Sequence, residues 1–158
     1  MDTKSKFEHL LSHWFKSIDA PALTLDETGI CAFHYKDEML VALEMPDDSA
    51  LAFVYSGVME VPAMDKQAFY EAALALNSYG IATKGATLAL DKQKGLLFLY
   101  QALRVESLDD TAFGNVMANF LESVGEVREE LTELIGSKDG DEPLMTGNPM
   151  MGGGFISG

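Results

Sequence analysis

Residues 85–134 constrain the fold of this chain most, because they predict a β-hairpin followed directly by one long amphipathic helix. The apolar runs 86–90 and 96–104 flank a loop, 91–95, that contains glycine and is typical of antiparallel hairpins. From Ser107, the predicted helix cap, to Leu134, apolar residues recur at spacings of three and four. Both elements are apolar inside and acidic outside, and they carry no group arranged for chemistry. The stretch therefore indicates a binding surface.

The residues before this stretch predict a helix, three strands and a second helix. Apolar residues at helical spacing cover 7–18, and the helix must end before Pro21. Three apolar runs separated by polar turns predict antiparallel strands at 29–36, 38–45 and 50–58. An alanine- and leucine-rich segment, 65–79, predicts the second helix. The fold class is α+β in the order α-β-β-β-α-β-β-α.

The length and composition predict one soluble domain. The 158 residues are 47% hydrophobic, enough for an ordinary core. Residues 1–135 are the predicted domain, and 136–158, rich in glycine and methionine, are a predicted flexible tail. The lone Cys31 fits a reducing compartment as buried filler, and neither a secretory signal nor a membrane-spanning run is evident. We expect a cytoplasmic protein without membrane insertion.

The charge and the scattered polar residues argue against several functions. A net charge of −14 disfavours nucleic-acid binding and favours cationic partners. His9 and His13 lie four residues apart, but no third metal ligand is evident nearby, and His34 stands alone. Neither a nucleophile with its base nor a phosphate-binding loop emerges. We expect no catalytic residue, no metal and no cofactor, and therefore no enzyme.

The order of elements, the small acidic size and six segments resemble the class I chaperones of bacterial type III secretion, the Tir-chaperone-like family. The resemblance covers Phe7 to about Leu134, and no single segment is diagnostic. A departure is the tail after Gly136, which exceeds the compact family core. The segments are FEHLLSHW, VALEMPDD, AFYEAALALN, GATLALD, GLLFLYQAL and LDDTAFGNVMANFLESVGEVREEL.

The resemblance implies a homodimer that binds the N-terminal segment of a secreted effector, keeps it extended and releases it at the export ATPase. An apolar groove between the first helix and the sheet would take effector side chains, and an edge strand would donate backbone hydrogen bonds. By analogy, six residues receive groove roles, although each could equally belong to the core: Leu11, Trp14, Phe15, Phe33, Val41 and Leu43. Seven residues on the second helix and the hairpin receive dimer-interface roles: Phe69, Tyr70, Ala73, Leu74, Leu76, Leu88 and Leu90.

A second function class fits the same charge. An acidic inhibitor or immunity-type protein would mask the basic surface of a folded partner, and its binding would weaken steeply with salt. The chaperone interpretation instead predicts binding of an unfolded apolar segment that tolerates moderate salt.

Overall fold

The computed structural model describes the backbone of residues 1–145 and the side chains of residues 1–136. The predicted α+β order is confirmed, with three helices and one five-stranded antiparallel sheet of strand order β1-β2-β3-β5-β4. The elements are α1 (Thr3–Ser17), β1 (Ile30–Tyr35), β2 (Met39–Glu44), β3 (Leu51–Glu60), α2 (Lys66–Leu76), β4 (Thr87–Asp91), β5 (Leu96–Arg104) and α3 (Asp110–Met145), with short 3₁₀ turns at Ser78–Gly80 and Val105–Ser107.

Helix α1 begins earlier than its apolar stripe, because a polar residue caps it. The side chain of Asp2 accepts a hydrogen bond from the backbone N–H of Ser5 at 2.8 Å, and this pairs one of the free donors of the first turn. The stripe then faces the sheet, where Phe7 is fully buried. The helix ends at Ser17, ahead of Pro21 as predicted.

One face of the sheet, the inner face, carries the core. Side chains alternate along each strand, so that Val41 and Leu43 of β2 and Val54 of β3 are fully buried while their neighbours are not. Helix α3 packs against β3 and against both other helices. Its Phe113 and Phe120 are also fully buried, so the long helix closes the core.

The start of α3 differs from the prediction. Ser107 lies in a 3₁₀ turn and donates to the carbonyl of Arg104, whereas the carboxylate of Asp109 accepts from Ala112 N–H at 2.8 Å. Asp109 therefore caps the helix in place of Ser107. The helix also continues to Met145, past the predicted domain end near Ile135, because extending a formed helix costs little compared with nucleating one. Residues 146–158 of the predicted tail lie outside the described residues.

The pairing of β3 with β5 contains a bulge that α3 stabilises. The register shifts between Gly57 and Met59. Arg128 of α3 donates from Nε to the carbonyl of Val58 at 2.8 Å and from Nη2 to the carbonyl of Gly57 at 2.9 Å. The guanidinium thereby satisfies carbonyls at the irregular point of the ladder.

Candidate functional site

Strand β1 forms one edge of the sheet, and part of its backbone is open to a further strand. Ile30 turns its backbone groups away from β2, since its N–H donates to the Asp26 carboxylate at 3.0 Å and its carbonyl accepts from Asp26 N–H at 2.8 Å. By alternation, Ala32 and His34 also face outward. Within residues 1–145, no hydrogen bond at these two outward positions is seen. They form a two-residue open edge.

The turn before β1 is held by a charged group. The Asp26 carboxylate accepts from the Thr28 hydroxyl at 2.7 Å and from the N–H groups of Thr28 and Ile30. These bonds, the Thr28 hydroxyl first, hold the pKa of Asp26 below its ordinary value. The carboxylate thus fixes where the open edge starts.

An apolar groove of about 450 Å³ lies beside the open edge. Its walls are the end of α1, the segment 20–23 and the end of β1. Ile18 and Leu23 are 43% and 38% exposed, which is high for large aliphatic side chains. Phe33 lies half-buried, with its ring 5.2 Å from the buried ring of Phe15. An extended peptide on β1 could insert alternate side chains here.

The structure places most of the six predicted groove residues elsewhere. Leu11, Trp14, Phe15, Val41 and Leu43 are between 0% and 5% exposed, inside the protomer core. Phe33 alone of the six reaches the surface. The core explanation, which the sequence left open, describes the other five, because Leu11, Trp14 and Phe15 pack from α1 and the remaining two from β2; of these five only Phe15 also lines the groove.

Sequence reasoning missed the exposed groove residues Ile18 and Leu23 and the half-buried Tyr35. Ile18 belongs to the periodic stripe and resembles a core position. Leu23 lies in a segment without periodicity. The available signal was a pair of leucines, Leu23 and Leu25, between Pro21 and the first strand.

The face formed by α2 and β4 is a second apolar surface. Leu74 and Leu90 are 70% and 41% exposed, and Tyr70 and Leu76 are half-buried. The other three residues predicted at the dimer interface are buried in their own protomer: Phe69 (1%), Ala73 (6%) and Leu88 (7%). Of the predicted set, Leu74 extends furthest into solvent, and it contributes little to the core of its own chain.

The outer face of the sheet carries a row of aromatic side chains. Tyr55 of β3 lies opposite Tyr100 of β5, and the ring of Phe98 is 6.0 Å from that of Tyr100. All three are half-buried. Burial, and then the nearby Glu44 carboxylate, raise the pKa of Tyr55, so the phenol stays neutral. This face is a third apolar surface.

The described residues offer little for catalysis. No group of three or more His, Cys, Asp or Glu side chains within them could hold a metal ion. His9 and His13 both approach the Asp110 carboxylate, at 3.6 Å and 3.8 Å, on a half-exposed surface. Burial raises the pKa of the Cys31 thiol, and the charge of Asp26 adds to this, which disfavours a reactive thiolate. Nor could any helix of this part of the chain cross a membrane.

A family model gives the decisive comparison. It describes the Tir chaperone protein (CesT) family and matches residues 9–128, more than half of the chain. The chain belongs to the Tir chaperone protein (CesT) family. The predicted resemblance is thereby confirmed, and with it the predicted class of function, a type III secretion chaperone that binds effectors. No curated protein sequence shows significant similarity to this CesT-family chain.

Solved structures share the fold. The ExsC–ExsE complex has a TM-score of 0.71 at 21% identity and covers 83% of this chain and 97% of that one. The HopA1–SchA chaperone–effector complex has a TM-score of 0.65 at 22% identity, covering 82% and 98%. The ExoU–SpcU complex of the type III secretion system of Pseudomonas aeruginosa has a TM-score of 0.60 at 17% identity, covering 78% and 96%. At these identities the likeness concerns the fold.

Proposed function

We propose that this CesT-family chaperone holds the N-terminal segment of a secreted effector in extended form along β1. The single observation that carries the proposal is the open edge at Ala32 and His34 next to the groove of Ile18, Leu23 and Phe33. Hydrogen bonds between the two backbones would supply affinity whatever the sequence of the effector segment, and the groove would select apolar side chains. Related complexes support an effector partner, since one is named a chaperone–effector complex.

Of the six groove roles implied by the resemblance, we keep Phe33 as a wall and Phe15 as the floor. Leu11, Trp14, Val41 and Leu43 then act indirectly, because they hold α1 and the sheet at the distance that forms the groove. Their low exposure supports this supporting role.

We also propose that the α2–β4 face joins two copies of the chain. Leu74 and Leu90 are exposed together on one surface, and a self-complementary apolar patch is what a two-fold interface requires. We expect the dimer to be cytoplasmic and without enzymatic activity, and to release its effector at the export ATPase. Membership of this family does not support the alternative function, an acidic inhibitor or immunity-type protein.

The test uses the effector segment that co-purifies with the tagged chain from its native cytosol, identified by mass spectrometry. Ile18→Asp should weaken binding of that synthetic segment at least about ten-fold, since it places an unpaired charge in an apolar contact. Ala118→Asp on the exposed side of α3 is the matched control and should bind normally. Binding should persist at moderate salt.

Equal binding by wild-type and Ile18→Asp proteins would refute the groove assignment. A steep loss of binding with salt, together with capture of a folded basic protein, would support the inhibitor alternative instead.

A further inference from the structure

Strand β4, the opposite edge of the sheet, is closed by a side chain. The backbone N–H of Leu88 donates to Oδ1 of Asn77 at 2.9 Å, and the carbonyl of Leu88 accepts from Nδ2 of Asn77 at 3.2 Å. The amide therefore occupies both outward groups of Leu88 as a neighbouring strand would. These groups face away from β5, with which β4 is paired.

The next outward residue is closed as well. Ala86 N–H donates to the carbonyl of Thr83 at 3.0 Å, and the Thr83 hydroxyl donates to the carbonyl of Ala86. Thr83 is fully buried, and its carbonyl also accepts from the Ser123 hydroxyl of α3 at 3.0 Å. The loop that closes this edge is thus fixed to the long helix.

Asn77 is held in place by the helix it terminates. Its backbone N–H donates to the carbonyl of Ala73 in α2 at 3.1 Å, and its φ and ψ of −77° and −10° are ordinary helical values. Any residue can adopt that backbone conformation, so the requirement for asparagine lies in its side chain. In β4 only Leu90 then keeps outward backbone groups without a hydrogen bond among the described residues.

The two edges of the sheet therefore differ in the number of outward backbone positions that are open to a further strand. Along β1, Ala32 and His34 offer two consecutive outward positions beside an apolar groove, whereas β4 offers one. We propose that Asn77 determines where polypeptide can join the sheet: its amide closes β4, so an extended client pairs only along β1. The inference rests on the proposed function, in which the client is an extended segment. It also implies that a dimer built on α2 and β4 uses side-chain packing without a continuous intersubunit sheet.

Natural sheets commonly protect their edges, because an open edge invites unwanted pairing. Removing the amide with Asn77→Ala would leave Leu88 and Leu90 both open, the same number of positions that β1 presents. The helical backbone at this position accepts alanine without strain, so the variant should fold. Asn115→Ala on the exposed side of α3 is the matched control.

The first test measures amide hydrogen exchange of the full-length protein by NMR. In Asn77→Ala the Leu88 amide should exchange at least ten-fold faster than in wild type, and Asn115→Ala should leave it unchanged. An unchanged Leu88 rate in Asn77→Ala would overturn the inference. If Asn77→Ala does not fold, Asn77→Leu serves as the second variant, since leucine has a similar shape but can neither accept from the Leu88 N–H nor donate to its carbonyl, and the same faster exchange is expected.

The second test adds a synthetic peptide of alternating valine and threonine with a lysine at each end. In wild type the peptide should slow exchange at Ala32 and His34 only, and in Asn77→Ala it should also slow exchange at Leu88 and Leu90. Slowing at Leu90 in the wild-type protein would overturn the inference. Slowing at neither edge in either protein would count against strand pairing in the proposed function, and the Leu88 rate alone would then decide the role of Asn77.

Discussion

Replacing Trp14 with alanine separates a core role from a groove role for a residue to which the sequence allowed either. Trp14 is 5% exposed, and its ring lies 5.0 Å from Phe15, 5.6 Å from Phe33 and 6.4 Å from Phe113. Its removal loses the burial of an indole and three aromatic contacts. Large-to-small aromatic substitutions of this kind cost about 3–5 kcal/mol.

We expect Trp14→Ala to lower the free energy of unfolding by about 4 kcal/mol, out of a total of roughly 5–15 kcal/mol. At about 3 °C per kcal/mol for a chain of this size, the melting temperature should fall by about 12 °C. Urea unfolding followed by circular dichroism measures the first quantity, and a thermal scan measures the second. The folded fraction should still bind the effector segment.

Ile18→Ala is the matched comparison, since Ile18 belongs to the same apolar stripe and directly follows α1 as its C-cap, but is 43% exposed. It should change the stability by less than about 1 kcal/mol and weaken effector binding roughly five-fold. The reasoning fails if Trp14→Ala costs less than about 1 kcal/mol of stability and nevertheless abolishes binding. Trp14 would then contact the client directly, and α1 would have to move when the client binds.

Further predictions concern two glycines, the cysteine and the dimer. Gly125→Ala, on the exposed side of α3 with open space around it, should raise the free energy of unfolding by about 1 kcal/mol. Gly29→Ala should lower it in the same urea assay, because Gly29 has a φ of +81° and an added Cβ would lie 2.5 Å from the Met45 carbonyl oxygen. Cys31, 3% exposed and with a raised pKa, should react with iodoacetamide at pH 8 roughly 100-fold slower in the native protein than in urea; equal rates would contradict its burial. Leu74→Asp should convert a dimer into a folded monomer in light scattering while Ala118→Asp does not, and a monomeric wild-type chain would refute the proposed interface.

Sequence periodicity located the elements well and their ends less well. The hairpin strands begin and end within one residue of their predicted positions, because a glycine-containing loop and alternating side chains fix both the register and the turn. Helix α2 was predicted to Tyr79 but ends at Leu76, and the chain leaves the helical conformation at Tyr79, which adopts a φ of +57°. The side chain of Asn77 bonds Leu88, eleven positions further along the chain, and local propensity does not contain such a contact.

The sequence by itself determined the order of the elements, the acidic surface and the family of this protein, because apolar spacing and turn residues act over short distances. The tertiary structure decided which apolar side chains remain accessible. Trp14 and Ile18 belong to one stripe, yet the first packs among aromatic rings and the second borders a groove between the end of α1 and the end of β1. Tertiary packing also decided that β4 is closed and β1 open, because an edge is defined by what lies beside it in space.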